Sequence, residues 1–137
     1  PISEVLGTPM DEVYIGSCTN GSLEDLKAAA DILRGKKVAN HVRVIVVPAT
    51  NTVFKEAIEK GYIKDFIEAG CVISHPCCGL CCGMPYGLMY DDERILLTAN
   101  RNFIGRQGTK KTLGYLSSPA VAAATALTGV VTDPRTL

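Results

Sequence analysis

Four of the six cysteines in this chain fall within the run His75-Pro76-Cys77-Cys78-Gly79-Leu80-Cys81-Cys82-Gly83. Pro76, Gly79 and Gly83 keep that run off any regular helix or strand. Thiolates are soft ligands, so a loop of this kind is suited to iron or zinc. Within it, Cys78-Gly79-Leu80-Cys81 is a C-x-x-C pair. Such a pair serves as half of a zinc site, as a redox couple or as part of an iron–sulfur site. Cys18 stands 60 residues earlier, in Gly16-Ser17-Cys18-Thr19-Asn20-Gly21. Three thiolates from two loops can hold three irons of a cubane cluster and leave the fourth open. An open metal position is what a Lewis-acid catalyst needs.

A third stretch, Asn100-Arg101-Asn102-Phe103-Ile104-Gly105-Arg106, brings positive charge. The five-residue spacing of Arg101 and Arg106 within a loop is not that of an ordinary helix surface. A guanidinium fork binds carboxylate through two parallel hydrogen bonds. The glycines form no phosphate loop, because no Lys-Ser/Thr pair follows them. The C-x-x-C also lacks the helix that a thiol oxidoreductase would place behind it, since Gly83 and Pro85 follow.

The elements that must position these groups read as an α/β chain. Residues 1–11 are a lead-in with little pattern. Residues 12–15 (Glu-Val-Tyr-Ile) are a short apolar strand that runs into the Cys18 loop. Ser22 and Asp25 make a capping-box start for a helix reaching about Arg34, with Leu23, Leu26, Ala29, Ala30 and Leu33 on one face. Gly35 ends it. Residues 42–47 form a β-branched run typical of a buried parallel strand, stopped by Pro48. Helices follow over 52–60 and 62–69, closed by Gly61 and Gly70. Residues 71–74 are a strand leading directly into the cysteine run. Residues 94–98 are a further strand, followed by a polar loop over 99–111. Ser118 and Pro119 then start a small-residue helix over 120–127, closed by Gly129. The expected fold is a three-layer α/β domain with a mostly parallel β-sheet flanked by helices. Sites in such sheets gather where loops leave the carboxyl ends of the strands. All three chemically loaded loops do so.

Composition narrows the classes. At 137 residues the chain is one domain with a core of its own, burying roughly two thirds of its unfolded surface. Equal numbers of basic and acidic residues, 14 of each, argue against a nucleic-acid or membrane-surface binder. No apolar run is long enough to span a bilayer, and no signal peptide is expected. Clustered cysteines beside an ample core point to a reducing, cytoplasmic setting rather than a disulfide scaffold. Cys71 reads as an inert core thiol, and Cys77 and Cys82 as spare thiols. His41 reads as solvated and His75 as a bystander.

Four motifs in order carry a resemblance: Ile15-Gly16-Ser17-Cys18-Thr19-Asn20-Gly21, Cys78-Gly79-Leu80-Cys81, residues 100–106, and Ser117-Ser118-Pro119-Ala120-Val121-Ala122-Ala123. Together they resemble the aconitase superfamily, nearest its branch of 3-isopropylmalate dehydratase and homoaconitase large subunits. The likeness runs from about residue 11 to the end. It implies an iron–sulfur hydro-lyase or isomerase acting on a hydroxy di- or tricarboxylic acid, as in leucine biosynthesis. By motif position it implies Cys18, Cys78 and Cys81 as ligands of a [4Fe–4S] cluster. Arg101 and Arg106 would bind substrate carboxylate, and Asn100 would hydrogen-bond beside the cluster.

The extra thiols Cys77 and Cys82 depart from the family pattern and offer the alternative pairs Cys77/Cys81 and Cys78/Cys82. In the family, further substrate-binding and acid–base groups come from domains ahead of this segment and from a mobile small subunit or domain. The chain therefore reads as a single cluster-bearing domain, residues 1–137, of a larger large subunit. It holds no catalytic acid or base of its own, and in isolation it is expected to bind a cluster poorly and not to turn over. The competing reading is a stand-alone zinc- or cluster-binding α/β module with a scaffold or redox-sensing role.

Overall fold

The computed structural model describes residues 2–16, 21–74, 94–98 and 113–137. Five strands form one sheet: β1 (Glu12–Gly16), β2 (Arg43–Val47), β3 (Val72–Ile73), β4 (Arg94–Leu97) and β5 (Leu113–Leu116). Their order is β3-β2-β1-β4-β5. Every pairing is parallel, with Tyr14 beside Ile45 on one side and Leu97 on the other. The mostly parallel sheet expected from the sequence is thus wholly parallel among the described residues. β5 was not expected at all. It is a four-residue edge strand with Gly114 in its middle, too short and too weakly β-forming to announce itself.

Four helices accompany the sheet: α1 (Leu23–Leu33), α2 (Asn51–Glu59), α3 (Tyr62–Ala69) and α4 (Pro119–Thr128). Ser22 caps α1 in a full capping box, its hydroxyl accepting from the Asp25 N–H while the Asp25 carboxylate accepts from the Ser22 N–H. This satisfies two of the backbone donors that a helix start leaves open. Thr50 and Ser118 cap α2 and α4 more simply, their hydroxyls accepting from the Val53 and Val121 N–H groups. Left-handed glycines stop α3 and α4 at Gly70 and Gly129.

The alternation of the strands sorts the core into two layers. Val13, Ile15, Val44, Val46 and Leu96 join Leu26, Ala29, Leu33, Phe66 and, from α4, Ala122, Ala123 and Ala126 in the larger cluster. Small side chains on α4 let its backbone come close to β1. Burying Phe66, which is fully enclosed, is worth about 2–3 kcal/mol. On the opposite face Tyr14, Ile45, Val47, Ile95 and Leu97 form a second buried cluster. A parallel sheet buried on both faces is what a three-layer α/β domain requires.

The lead-in segment is better anchored than its sequence suggests. Gly7 donates to Val131, Val131 donates to Thr8, and Met10 donates to Gly129. Pro9 and Val130 form an antiparallel bridge. At the amino end of the sheet, Glu12 is fully buried with the Arg43 guanidinium 3.8 Å away. That ion pair lies at the edge opposite the candidate site.

Candidate functional site

Because all five strands run the same way, their carboxyl ends share one edge of the sheet. The chain visits β1, β2 and β3 outward in one direction, then returns to place β4 and β5 on the other side of β1. The strand order therefore reverses between β1 and β4. In open parallel sheets, ligands bind in the crevice that such a reversal leaves outside the strand ends. Residues 17–20 begin where β1 ends, residues 75–93 begin just beyond β3, and residues 99–112 begin just beyond β4.

The sequence candidates Cys18, Cys78, Cys81, Asn100, Arg101 and Arg106 all lie outside the described residues, as do Cys77, Cys82 and His75. The described residues give the frame from which those segments start. Gly16, Ser74 and Thr98 are the last residues before them.

That frame is tightly tied. Each strand end continues the ladder by one bond: Thr98 N–H to the Tyr14 carbonyl, Ser74 N–H to Val46, and Ser117 N–H to Leu97. Gly16, still paired with Val47 of β2, then departs from regular pairing on its β4 side. Its N–H donates to the Thr98 hydroxyl at 2.8 Å, and that hydroxyl donates to the Gly16 carbonyl at 3.2 Å. Gly16 has a φ of +110°, which favours glycine, and a Cβ there would meet the Val47 carbonyl. Five residues later Gly21 accepts from the Ala49 N–H at 2.9 Å. The Cys18 segment is thus held at both ends, by β4 and β2 at its start and by the β2–α2 connection at its finish.

Sequence reading passed over both Gly16 and Thr98 as site-shaping residues. The available signals were a polar residue closing the apolar run Ile95-Leu96-Leu97 and a glycine closing Glu12-Val13-Tyr14-Ile15.

Among the described residues, no group of three His, Cys, Asp or Glu side chains is arranged to hold a metal. Cys71 is buried, and desolvation pushes its thiol up to about 12. It is the inert core thiol expected, since the thiolate is the ligand and nucleophile. His41 is exposed as expected, but its ring is not merely solvated. It covers Gly129, so close that a Cβ there would stand 2.5 Å from Nε2. A cavity of about 410 Å³ lies beside β5, lined mainly by Leu96, Tyr115, Val121 and Val131. Among the described residues its lining, which includes Ser117 and Ser118, holds no cationic side chain to pair with a carboxylic acid. No helix of the described residues is long and apolar enough to cross a membrane.

Comparison with known proteins bears on the same residues. The model of the aconitase family (aconitate hydratase) matches residues 3–129. The chain is 54% identical over 134 residues to "3-isopropylmalate dehydratase large subunit 1" of Archaeoglobus fulgidus, covering 98% of this chain and 32% of that protein. It is 53% identical over 135 residues to the 3-isopropylmalate dehydratase large subunit of Geobacter metallireducens, covering 98% and 31%. It is 51% identical over 139 residues to that of a Nitratiruptor species, covering 100% and 33%. The chain thus spans about a third of the length of the curated relatives it matches.

Proposed function

The chain belongs to the aconitase family, and from that premise we propose that it is the cluster-bearing domain of a hydro-lyase large subunit. The reaction proposed is dehydration and rehydration of a hydroxy di- or tricarboxylic acid such as 3-isopropylmalate, in the cytoplasm. One observation of the fold carries the reading. The segments holding Cys18, the cysteine run and Arg101/Arg106 all begin on one sheet edge, and two of them flank the reversal between β1 and β4.

Members of this family generally bind a [4Fe–4S] cluster, and the donor set here suits one. Cys18, Cys78 and Cys81 would be its three thiolate ligands, fewer than a closed four-thiolate site uses. When bound, the cluster supplies an iron with an open position that acts as a Lewis acid toward a substrate hydroxyl. The chain's own residues do the rest of what is assigned to it. Arg101 and Arg106 hold substrate carboxylate through paired hydrogen bonds and fix its orientation. Asn100 donates a hydrogen bond beside the cluster. Neither arginine can give up its proton, so neither serves as acid or base. Those groups are proposed to come from the remaining two thirds of the large subunit and from a small partner subunit.

The test is anaerobic reconstitution of the full-length large subunit with iron and sulfide, followed by EPR of the oxidised three-iron form. The wild type is expected to give the signal, Cys18→Ser to lose it, and Cys82→Ser to keep it. Tight zinc binding with no cluster signal would sink the hydro-lyase assignment. Loss of the signal in Cys82→Ser with retention in Cys78→Ser would shift the ligand pair by one residue.

A further inference from the structure

We propose that Thr98 is a positioning residue, whose hydroxyl sets the spacing and register of the crevice floor between β1 and β4. The inference rests on the site assignment above, because it concerns the two segments that leave this floor.

The argument starts from ladder geometry. Tyr14 pairs with Leu97, and the Thr98 N–H donates to the Tyr14 carbonyl. In a regular parallel ladder the next bond would run from the Gly16 N–H to the Thr98 main-chain carbonyl. The Thr98 side chain takes that bond instead, at 2.8 Å, and returns a second bond to the Gly16 carbonyl at 3.2 Å. A side-chain hydroxyl here does what a carbonyl cannot: it accepts from the Gly16 N–H and donates to the Gly16 carbonyl, so one group ties both polar groups of Gly16 at the end of β1.

The position gives the bond its consequence. Gly16 has no side chain with which to anchor itself, and Val47 blocks it from the other side. Thr98 is 2% exposed, so water does not compete for the hydroxyl. Cys18 is two residues beyond Gly16, and Arg101 is three beyond Thr98. Any slip between Gly16 and Thr98 is passed to both segments, and misplacement on the ångström scale is enough to impair a reaction.

The experiment compares Thr98→Val, which keeps the branched shape without the hydroxyl, with Thr98→Ser, which keeps the hydroxyl. Both are made in the full-length large subunit assembled with its small subunit. In cluster-free protein, alkylation by iodoacetamide is followed at Cys18 and Cys71 by peptide mass spectrometry. Thr98→Val is expected to change the Cys18 rate at least fivefold and Thr98→Ser less than twofold, with Cys71 unchanged in both. After reconstitution, Thr98→Val is expected to lose at least tenfold in kcat with KM within threefold, and to alter the three-iron EPR line shape. Thr98→Ser is expected to restore both. An unchanged Cys18 rate in Thr98→Val overturns the proposal, and so does an equal rise at Cys71, which would mean general loosening. Should Thr98→Val fail to fold, Thr98→Ser decides: a wild-type Cys18 rate supports the hydroxyl, and a shifted one overturns it. Absence of any cluster in the wild type would defeat the functional reading, and the alkylation comparison would still judge Thr98.

Discussion

Gly16 lies against Val47 with no room for a methyl group between them: a Cβ on Gly16 would strike the Val47 carbonyl oxygen and stand 2.8 Å from its carbon. The obstacle is main chain on a central strand, so it cannot swing aside. The positive φ adds strain for any L side chain. Gly16→Ala is expected to destabilise the fold by about 3 kcal/mol or more. Urea unfolding should show a lower midpoint with an unchanged slope. A wild-type midpoint would mean that the strand end has slack.

Gly129 ends α4 in the left-handed conformation beneath the His41 ring. Here the obstacle is a side chain that can move. Gly129→Ala is expected to cost about 1–2 kcal/mol from the backbone alone, plus the cost of displacing His41. In a His41→Ala background only the backbone part should remain. A double-mutant cycle by chemical unfolding measures the difference. Strict additivity of the two changes would show that the ring yields freely.

Cys71 gives a pH dependence with a definite sign. Burial raises its thiol from 9.0 to about 12, so between those values the folded state retains a proton that the unfolded state has lost. Stability contributed by the neutral thiol is complete below pH 9 and falls as pH rises toward 12, by up to about 1.4 kcal/mol per unit. Cys71→Ala should remove that slope. The comparison of denaturation midpoints at pH 8 and 10.5 reads it directly. Equal slopes in the two proteins would mean that the thiol is not desolvated.

The arginine assignments predict a specific loss. In the assembled enzyme, Arg101→Lys and Arg106→Lys keep the charge but not the planar fork. Each is expected to raise KM at least tenfold while the cluster signal stays at the wild-type level. An unchanged KM for either variant would remove that residue from the carboxylate site.

Much of the local structure could be read in the chain because local rules decide it. Ser22 and Asp25 announced α1, and the periodic Leu26, Ala29, Ala30 and Leu33 are its buried residues. Gly70 and Gly129 stop helices in the left-handed conformation that glycine alone adopts easily. β5 escaped notice because its strand character comes from pairing with β4, from Arg94–Leu113 to Leu97–Leu116, and not from its own residues. His41 looked solvated because its partner, Gly129, is remote in sequence.

The sequence by itself determined which groups are available for chemistry: the thiols of Cys18, Cys77, Cys78, Cys81 and Cys82, and the guanidinium groups of Arg101 and Arg106. It also determined the helices and every strand but β5, since capping, periodicity and β-branching act over a few residues. Only the tertiary structure decided the strand order, and with it the reversal between β1 and β4. It alone set Thr98 against Gly16, residues 82 positions apart. The physical reason is that a hydrogen bond of that separation depends on the packing of every element between, and no local pattern encodes it.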